Sequence, residues 1–86
     1  WIHVDFDIDV LDRAFAPACP GARTGGMTPR QLMTAARLCG RHGAVRSVDL
    51  VEVDASRDRD DVTVMALAGT LLAYLSGSTQ RAEGMA

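Results

Sequence analysis

Apolar and polar residues alternate over the first eight positions of the chain, a pattern typical of a β-strand. One face of this strand is polar and carries His3, Asp5, Asp7 and Asp9. The opposite face is apolar and carries Ile2, Val4, Phe6 and Ile8. Carboxylates stacked two residues apart repel one another and are costly to bury unless a cation lies among them. The pattern therefore indicates a site for a hard cation such as manganese or magnesium, or else a strand end whose carboxylates face water.

The rest of the chain predicts a long loop, a helix, a second strand, a polar loop and a second helix. Residues 10–27 are rich in Pro and Gly and predict an irregular loop that is long enough to be functional. Thr28, Pro29 and Gln31 have the spacing of a capping box at a helix start, and Gly40 or Gly43 is the expected end.

The second strand is predicted over Val45 to Val53, with its buried part at Val48, Leu50 and Val51. The last helix is predicted from about Val62 to Leu75, with Asp61 as its cap and Gly77 as its end. Its expected buried face is the apolar stripe of Met65, Leu67, Ala68, Leu71, Leu72 and Leu75. Residues 78–86 are predicted to be a disordered tail, which leaves residues 1–77 as the folded part.

This order of elements predicts a parallel sheet with helices on its faces, because parallel strands need crossover connections. In open sheets of this class ligands bind beyond the carboxyl ends of the strands. The acidic run after the first strand and Glu52 near the end of the second both reach that edge.

Composition narrows the function classes only a little. The chain has 86 residues, enough for one small domain, and its net charge of −2 gives no reason to expect a nucleic-acid partner. We expect no membrane partner either, because no apolar run looks long enough to span a bilayer. Cys19 and Cys39 do not form a C-x-x-C pair, so a disulfide scaffold or a zinc site is not expected, and we expect reduced thiols in a cytoplasmic protein. The start at Trp1, inside a strand pattern, suggests a piece of a longer polypeptide.

Several motifs resemble the ureohydrolase family of arginases, agmatinases and formimidoylglutamases. Residues 6–12 read F-D-I-D-V-L-D, residues 14–17 read A-F-A-P and residues 25–28 read G-G-M-T, in the order and spacing of that family's signature. Residues 48–53 read V-D-L-V-E-V and resemble its second motif, a strand that ends in D-x-x-E-V.

The resemblance implies a three-layer α/β arginase-like sandwich with a parallel sheet, of which this chain would be the β-loop-α-β-α C-terminal part. It implies two Mn²⁺ ions, with Asp7 and Asp9 as metal ligands and Glu52 as the acid that binds the substrate. The substrate would be a small linear amidine or guanidine, attacked by a metal-bridging hydroxide. It also implies a homo-oligomer, a trimer or a hexamer.

Three departures from the family pattern qualify this expectation. Residues 18–22 read A-C-P-G-A where the family usually has a Thr-Gly-Thr-Pro stretch, Arg13 replaces a proline, and Asp5 replaces a serine. These differences favour a formimidoylglutamase-like or agmatinase-like enzyme over an arginase. The family's other metal ligands lie upstream and are absent here, because neither His3 nor His42 stands in such a motif. We expect His3 to be a strand residue or a partner of the site, His42 to face solvent at a helix end, and the isolated chain to be inactive.

Other functions remain open at this point. The chain could be a non-catalytic truncated product or a pseudo-enzyme. A phosphatase of the D-x-D type would use one aspartate as nucleophile, but Leu11 stands where such a motif has Thr or Val. A calcium loop counted from Asp5 would need glycine where Val10 stands and glutamate where Ala16 stands.

Overall fold

The computed structural model describes residues 1–84, and these form two parallel strands and two long helices. Strand β1 is Ile2–Asp7, helix α1 is Pro29–Arg41, strand β2 is Val45–Val51 and helix α2 is Val62–Ala82. Three short 3₁₀ turns lie in the loops, at Ile8–Val10, Arg13–Phe15 and Ala55–Arg57. The predicted order of elements and the α/β class are confirmed.

The two strands pair side by side in parallel, with α1 as the crossover between them. The register runs from His3 opposite Ser47 to Asp7 opposite Val51, so both strands end at the same level. Residues 8 and 52, which follow the two strands, therefore leave the sheet at one edge. The sequence argument relied on this edge, and the register supports it.

Helix α1 begins as predicted and ends slightly differently. Thr28 and Gln31 form the capping box, with Gln31 N–H donating to Thr28 Oγ1 at 3.2 Å. The helix ends at Arg41, with His42 as its C-cap, so neither Gly40 nor Gly43 stops it. Gly40 lies inside the helix because it is a contact point with α2: a Cβ there would lie 2.1 Å from the Tyr74 carbonyl oxygen.

Helix α2 is longer than predicted. Gly77 was expected to end it near Leu75, but the helix continues to Ala82. Gly77 is buried against α1, where a Cβ would lie 2.1 Å from the Arg37 carbonyl oxygen. The glycine thus permits a close helix crossing rather than a helix end. The first residues of the predicted disordered tail are helical, and Met85 and Ala86 lie outside the described residues.

The face that α2 buries is also not the predicted one. Small residues line the buried face, namely Thr63, Ala66, Thr70 and Gly77. The side chains of Met65 and Leu72 are 68% and 66% exposed, and Leu71 and Leu75 are exposed as well. A close helix contact favours small residues, so the stripe of large apolar side chains marks the opposite side. Of the predicted set, only Leu67 packs against the core cluster.

Strand β2 is shorter and less buried than expected. It ends at Val51 rather than Val53, and Val48, Leu50 and Val51 are only half-buried, whereas Val45 is buried. The sheet within residues 1–84 has two strands, so each strand keeps one unpaired edge. The side chains of Val48, Leu50 and Val51, whose pattern is typical of a central strand, are therefore only half-buried.

The long loop after β1 belongs to the core. Ile8 and Leu11 are fully buried, and several small residues of the loop are buried as well: Ala16, Ala18, Cys19 and Ala22. Backbone hydrogen bonds join its two sides, from Asp12 N to Met27 O at 2.8 Å and from Met27 N to Val10 O at 2.8 Å. This compact loop covers the carboxyl end of β1.

One statement from the sequence about membranes needs correction. Helix α2 has 21 residues and is long and apolar enough to cross a bilayer by length and composition. The core helix of a soluble protein passes the same test, and α2 packs along α1 through its buried small residues.

Candidate metal and substrate site

Asp7 and Asp9 meet at the carboxyl end of β1, but not on one strand face as the alternation predicted. The strand stops at Asp7, and residues 8–10 turn into a 3₁₀ helix that Asp7 caps. The Asp9 N–H donates to Asp7 Oδ1 at 3.0 Å. The turn carries Asp9 back beside Asp7, so the pair forms through a turn and not through strand periodicity. Both residues are half-buried.

The pKa of the Asp9 carboxyl lies above its ordinary value. The side-chain hydrogen bond with Asp7 is the largest cause, followed by burial and by the charges of Asp7 and Glu52, whereas the Arg23 guanidinium opposes the shift. Burial and neighbouring negative charge both disfavour the ionised form of Asp9. A cation beside this carboxylate would offset both effects.

The loop backbone leaves almost no free space on one side of Asp9. A Cβ at Gly21 would lie 2.5 Å from Asp9 Oδ2, so a larger residue at this position would displace the carboxylate. Glycine is the residue that lets a backbone come this close. The Asp9 carboxylate is therefore held against the loop.

Glu52 is the first residue after β2 and lies at the same edge as the two aspartates, as predicted. Its φ is 72°, in the left-handed region that a glutamate rarely adopts, and its side chain is exposed. Such backbone strain in non-glycine residues is concentrated at functional sites. The charge of Glu52 acts on both Asp9 and Cys19, which places it among the site groups.

Cys19 lies buried beneath the site. Burial raises the pKa of its thiol to about 11, and the charges of nearby carboxylates act in the same direction, namely Asp9, Asp7, Asp58 and Glu52. The residue is thus a neutral thiol at physiological pH, and both cysteines are free. Cys19 is thus part of the buried loop that covers the carboxyl end of β1.

Two further aspartates, which were not predicted as structural residues, hold the loops around the site. Asp12 Oδ1 accepts from Ala14 N at 2.9 Å and Asp12 Oδ2 accepts from Gly25 N at 2.8 Å. These bonds lower the pKa of Asp12 and tie the two sides of the long loop together. The sequence carries a signal for this role, because aspartate is common at the start of a turn.

Asp58 caps α2 in place of Asp61. Its Oδ1 accepts from Thr63 N at 3.0 Å and its Oδ2 accepts from Val64 N at 2.9 Å. Asp61 has a left-handed backbone (φ 57°) and makes no side-chain cap bond. Asp61 therefore occupies the predicted N-cap position, but its side chain does not cap the helix, because side-chain capping needs an extended backbone as well as a suitable side chain.

Arg23 is the residue at this edge that the sequence argument missed. Its Nη1 donates to the carbonyl oxygens of Pro20 and Ala22, each at 3.0 Å. Its guanidinium lies close enough to Asp9 to act on the pKa of that carboxyl. A usable signal was present, since Arg23 is the only cationic residue in the segment 14–28.

A second polar group lies on the sheet at His3, away from the aspartate pair. His3 Nδ1 is 2.6 Å from Ser47 Oγ, and His3 Nε2 is 2.8 Å from Asp5 Oδ1 and 3.4 Å from Asp49 Oδ2. The ligand atoms of His3, Asp5 and Asp49 lie within 4.8 Å of one another, but two of the three residues are exposed and already hydrogen-bonded. His3 is therefore a strand residue with its own partners, and His42 is an exposed helix-end residue, both as expected.

The residues at the carboxyl edge fit a divalent metal. Asp7 and Asp9 supply hard carboxylate oxygens, the kind of ligand that manganese and magnesium prefer. The repulsion between their negative charges favours a bound cation. So does the close approach of Gly21, which holds the Asp9 carboxylate against the loop. Two aspartates alone leave most coordination positions for other ligands.

Comparison with known proteins gives consistent matches. The model of the Arginase family matches residues 1–76. A formimidoylglutamase from Halalkalibacterium halodurans is 39% identical over 83 residues, which are 96% of this chain and 26% of that protein. An agmatinase from Proteus mirabilis is 39% identical over 72 residues, 84% of this chain and 22% of that protein.

Solved structures match as well. The crystal structure of formimidoylglutamase from Bacillus subtilis has a TM-score of 0.88 and 35% identity, and the match covers 92% of this chain and 25% of that one. The chain thus spans about a quarter of the length of the relatives that it matches.

Proposed function

The chain belongs to the arginase family and has the α/β fold of its solved members, and on that premise we propose that it is the C-terminal part of a manganese-dependent hydrolase. The proposed substrates are linear amidines or guanidines. Relatives that carry the names formimidoylglutamase, agmatinase and guanidino acid hydrolase support this substrate class. In the following, the parent is the full-length protein that we propose to contain this chain.

The observation that carries the proposal is the meeting of Asp7, Asp9 and Glu52 at one edge of the sheet. The first two arrive through the turn after β1, and Glu52 arrives through the strained residue after β2. The edge is the place where open parallel sheets bind ligands.

Each residue has a distinct role in this proposal. Asp7 and Asp9 would hold two manganese ions together with ligands from the rest of the parent. The metal would supply hydroxide near neutral pH by lowering the pKa of a coordinated water. Hydrolysis then joins the water oxygen to the amidine carbon and breaks one C–N bond, and the leaving nitrogen takes up a proton.

Glu52 binds and orients the cationic end of the substrate. An amidinium has N–H donors on two nitrogens, and a carboxylate can accept both in a fork that is stronger than a neutral hydrogen bond. Orientation of a planar reactant against the attacking group is itself a large part of catalysis. An exposed glutamate at the edge of the metal site is suited to this role.

The proposal also covers the assembly and the state of the isolated chain. We propose a cytoplasmic parent of formimidoylglutamase-like or agmatinase-like type that forms a homo-oligomer, and an isolated chain without activity. The isolated chain supplies only two carboxylates to the metal site. Purified 86-residue chain should therefore turn over agmatine, arginine or N-formimidoylglutamate no faster than manganese alone, and a rate above that blank would contradict this.

The variant Glu52→Gln in the parent tests the role of Glu52. Removal of the charge at constant shape should lower kcat/KM by roughly 10²-fold, or about 3 kcal/mol of transition-state stabilisation, with manganese content unchanged. The matched control is Glu83→Gln, at the exposed end of α2, which should keep full activity. Full activity of Glu52→Gln, or loss of manganese from it, would contradict the assignment.

A non-catalytic product or a pseudo-enzyme remains the second candidate. The observation that favours it is that Asp7 and Asp9 alone leave most metal coordination positions to other ligands. A parent sequence that lacks the upstream histidine and aspartate motifs would support this second candidate.

A further inference from the structure

Arg23 has a feature that the proposed reaction does not use. Both N–H groups of its Nη1 are engaged by the carbonyl oxygens of Pro20 and Ala22. Over residues 1–84, its Nε and Nη2 atoms have no hydrogen-bond partner, and no carboxylate lies within 4.0 Å of the guanidinium. The unused donors belong to one side of the group.

That side is the one which recognises carboxylates. The Nε–H and one Nη2–H of a guanidinium point in the same direction, and the pair forks onto the two oxygens of a carboxylate. The two bonds from Nη1 to the loop backbone fix the plane of the group in advance. A side chain held in this way loses less conformational freedom when it binds.

The position of Arg23 is fixed relative to the metal ligands. Its backbone pairs with Asp12, and its carbonyl oxygen accepts from Arg13 N at 3.0 Å. Gly21, two residues before it, packs against Asp9. The guanidinium is thus attached to the same short loop that contacts Asp9.

The surrounding charge explains why a cation is needed here. Asp7 and Asp9 pair at this edge, and Glu52 follows β2 at the same level of the sheet, so several carboxylates lie here. A substrate whose far end is anionic would be repelled by them unless a cation met that end. Arg23 is the only cationic residue in the segment 14–28, which folds over this edge.

We propose that Arg23 determines specificity by binding a carboxylate of the substrate through its Nε–Nη2 edge. The substrate is then an amidine that carries a carboxylate, held at its amidinium end by Glu52 and at its acidic end by Arg23. This inference rests on the proposed function and adds a residue to it.

The test compares two substrates in the manganese-loaded parent. N-formimidoyl-L-glutamate carries carboxylates and agmatine carries none. With Arg23→Gln, the KM for N-formimidoyl-L-glutamate should rise roughly tenfold or more, with kcat changed by less than about twofold, while kcat/KM for agmatine stays the same or rises. Arg23→Lys keeps the charge without the fork and should show a smaller rise in KM. Arg30→Gln, an exposed arginine at the start of α1, is the matched control and should change neither substrate.

Inhibition by L-glutamate provides a second measurement that does not depend on turnover of the variant's substrate. Its inhibition constant should rise in parallel with the KM in Arg23→Gln. Equal losses on both substrates would show that Arg23 only supports the loop, and an unchanged KM for N-formimidoyl-L-glutamate would also overturn the inference. Turnover of agmatine alone by the unsubstituted parent would overturn it while the proposed function stands. No turnover of any amidine by that parent would overturn the proposed function, and this inference with it.

Discussion

The carboxyl edge of the sheet and the outer face of α2 differ in how many of their backbone amides are hydrogen-bonded and how many of their apolar side chains are buried within this chain. At the edge, backbone amides are capped by aspartates, including Asp7, Asp12 and Asp58, and the apolar Ile8 and Leu11 are fully buried. On the outer face of α2, large apolar side chains such as Met65 and Leu72 lie two-thirds exposed. The first region caps its own backbone amides and buries its apolar side chains, and the second leaves its apolar side chains uncovered.

The difference indicates which parts of the structure depend on more chain. The edge is held by hydrogen bonds within and between residues 7–27 and 52–64, such as the bond from Ala18 N to Thr63 Oγ1 at 3.1 Å. The exposed apolar face resembles a core surface without its cover, and the relatives are about four times as long as this chain. We therefore expect the outer face of α2 to be buried in the parent.

The largest expected effect comes from the metal ligands. Asp7→Asn or Asp9→Asn in the parent should lower kcat by roughly 10³-fold or more, because several kcal/mol of metal-assisted stabilisation are lost. Activity at saturating manganese is the measurement. Asp5→Asn, on the same strand and exposed, is the matched control and should have a much smaller effect. A near-normal kcat in Asp7→Asn or Asp9→Asn would contradict the assignment of these aspartates at the carboxyl edge as metal ligands.

The next largest effect concerns the outer face of α2. The double variant Met65→Gln and Leu72→Gln should destabilise the parent by roughly 4 kcal/mol, since two buried apolar side chains would be lost. In the isolated chain the same changes should alter stability by about 0.5 kcal/mol or less, because both positions are exposed there. Chemical denaturation of both proteins measures the difference. Equal small effects in both would show that α2 stays uncovered.

A smaller effect is expected at the contact between the helices. Gly77→Ala should cost about 1–3 kcal/mol in the parent, because the added Cβ would lie 2.1 Å from the Arg37 carbonyl oxygen and must push the helices apart. Gly43→Ala is the matched control, since nothing lies within 4 Å of a Cβ at that position. Thermal unfolding of both variants is the measurement, and equal melting temperatures would contradict the close crossing.

The smallest effect is expected at His3. Desolvation lowers its pKa, but hydrogen bonds to Asp49 and Asp5 and their charges outweigh this and raise it above 6.5. A raised pKa in the folded state gives stability that is fully present below pH 6.5 and is lost as the pH rises through the folded value. The melting temperature of the unsubstituted chain should therefore fall more between pH 6 and pH 8 than that of His3→Gln. An equal fall in melting temperature in the two proteins would contradict the pairing of His3 with Asp49 and Asp5.

The sequence predicted the start of α1, the parallel strand pair and the edge at which Asp7, Asp9 and Glu52 meet. Those features follow from local signals: a capping box, an alternating strand and the order of elements. It failed where tertiary packing decides. Gly77 permits a close helix contact and does not end the helix, so both the end of α2 and its buried face were predicted wrongly.

For a similar reason, the candidate site could be predicted only in part from the sequence. Strand periodicity placed Asp9 on the face of Asp7, but the chain turns at Asp7 and brings the two together by a different route. Arg23 was missed because its importance depends on the fold of the long loop, whose backbone bonds set its orientation. The metal and substrate roles stay predictions that rest on the family resemblance and on this geometry.

Manganese content of purified parent protein tests the central claim most directly, measured side by side for the unsubstituted protein, Asp9→Asn and Glu52→Gln. The account predicts two manganese ions per subunit in the unsubstituted protein and in Glu52→Gln, and a clear loss of manganese in Asp9→Asn. Full manganese content in Asp9→Asn, or loss of manganese in Glu52→Gln, would contradict the assignment of the aspartates to metal and of the glutamate to substrate.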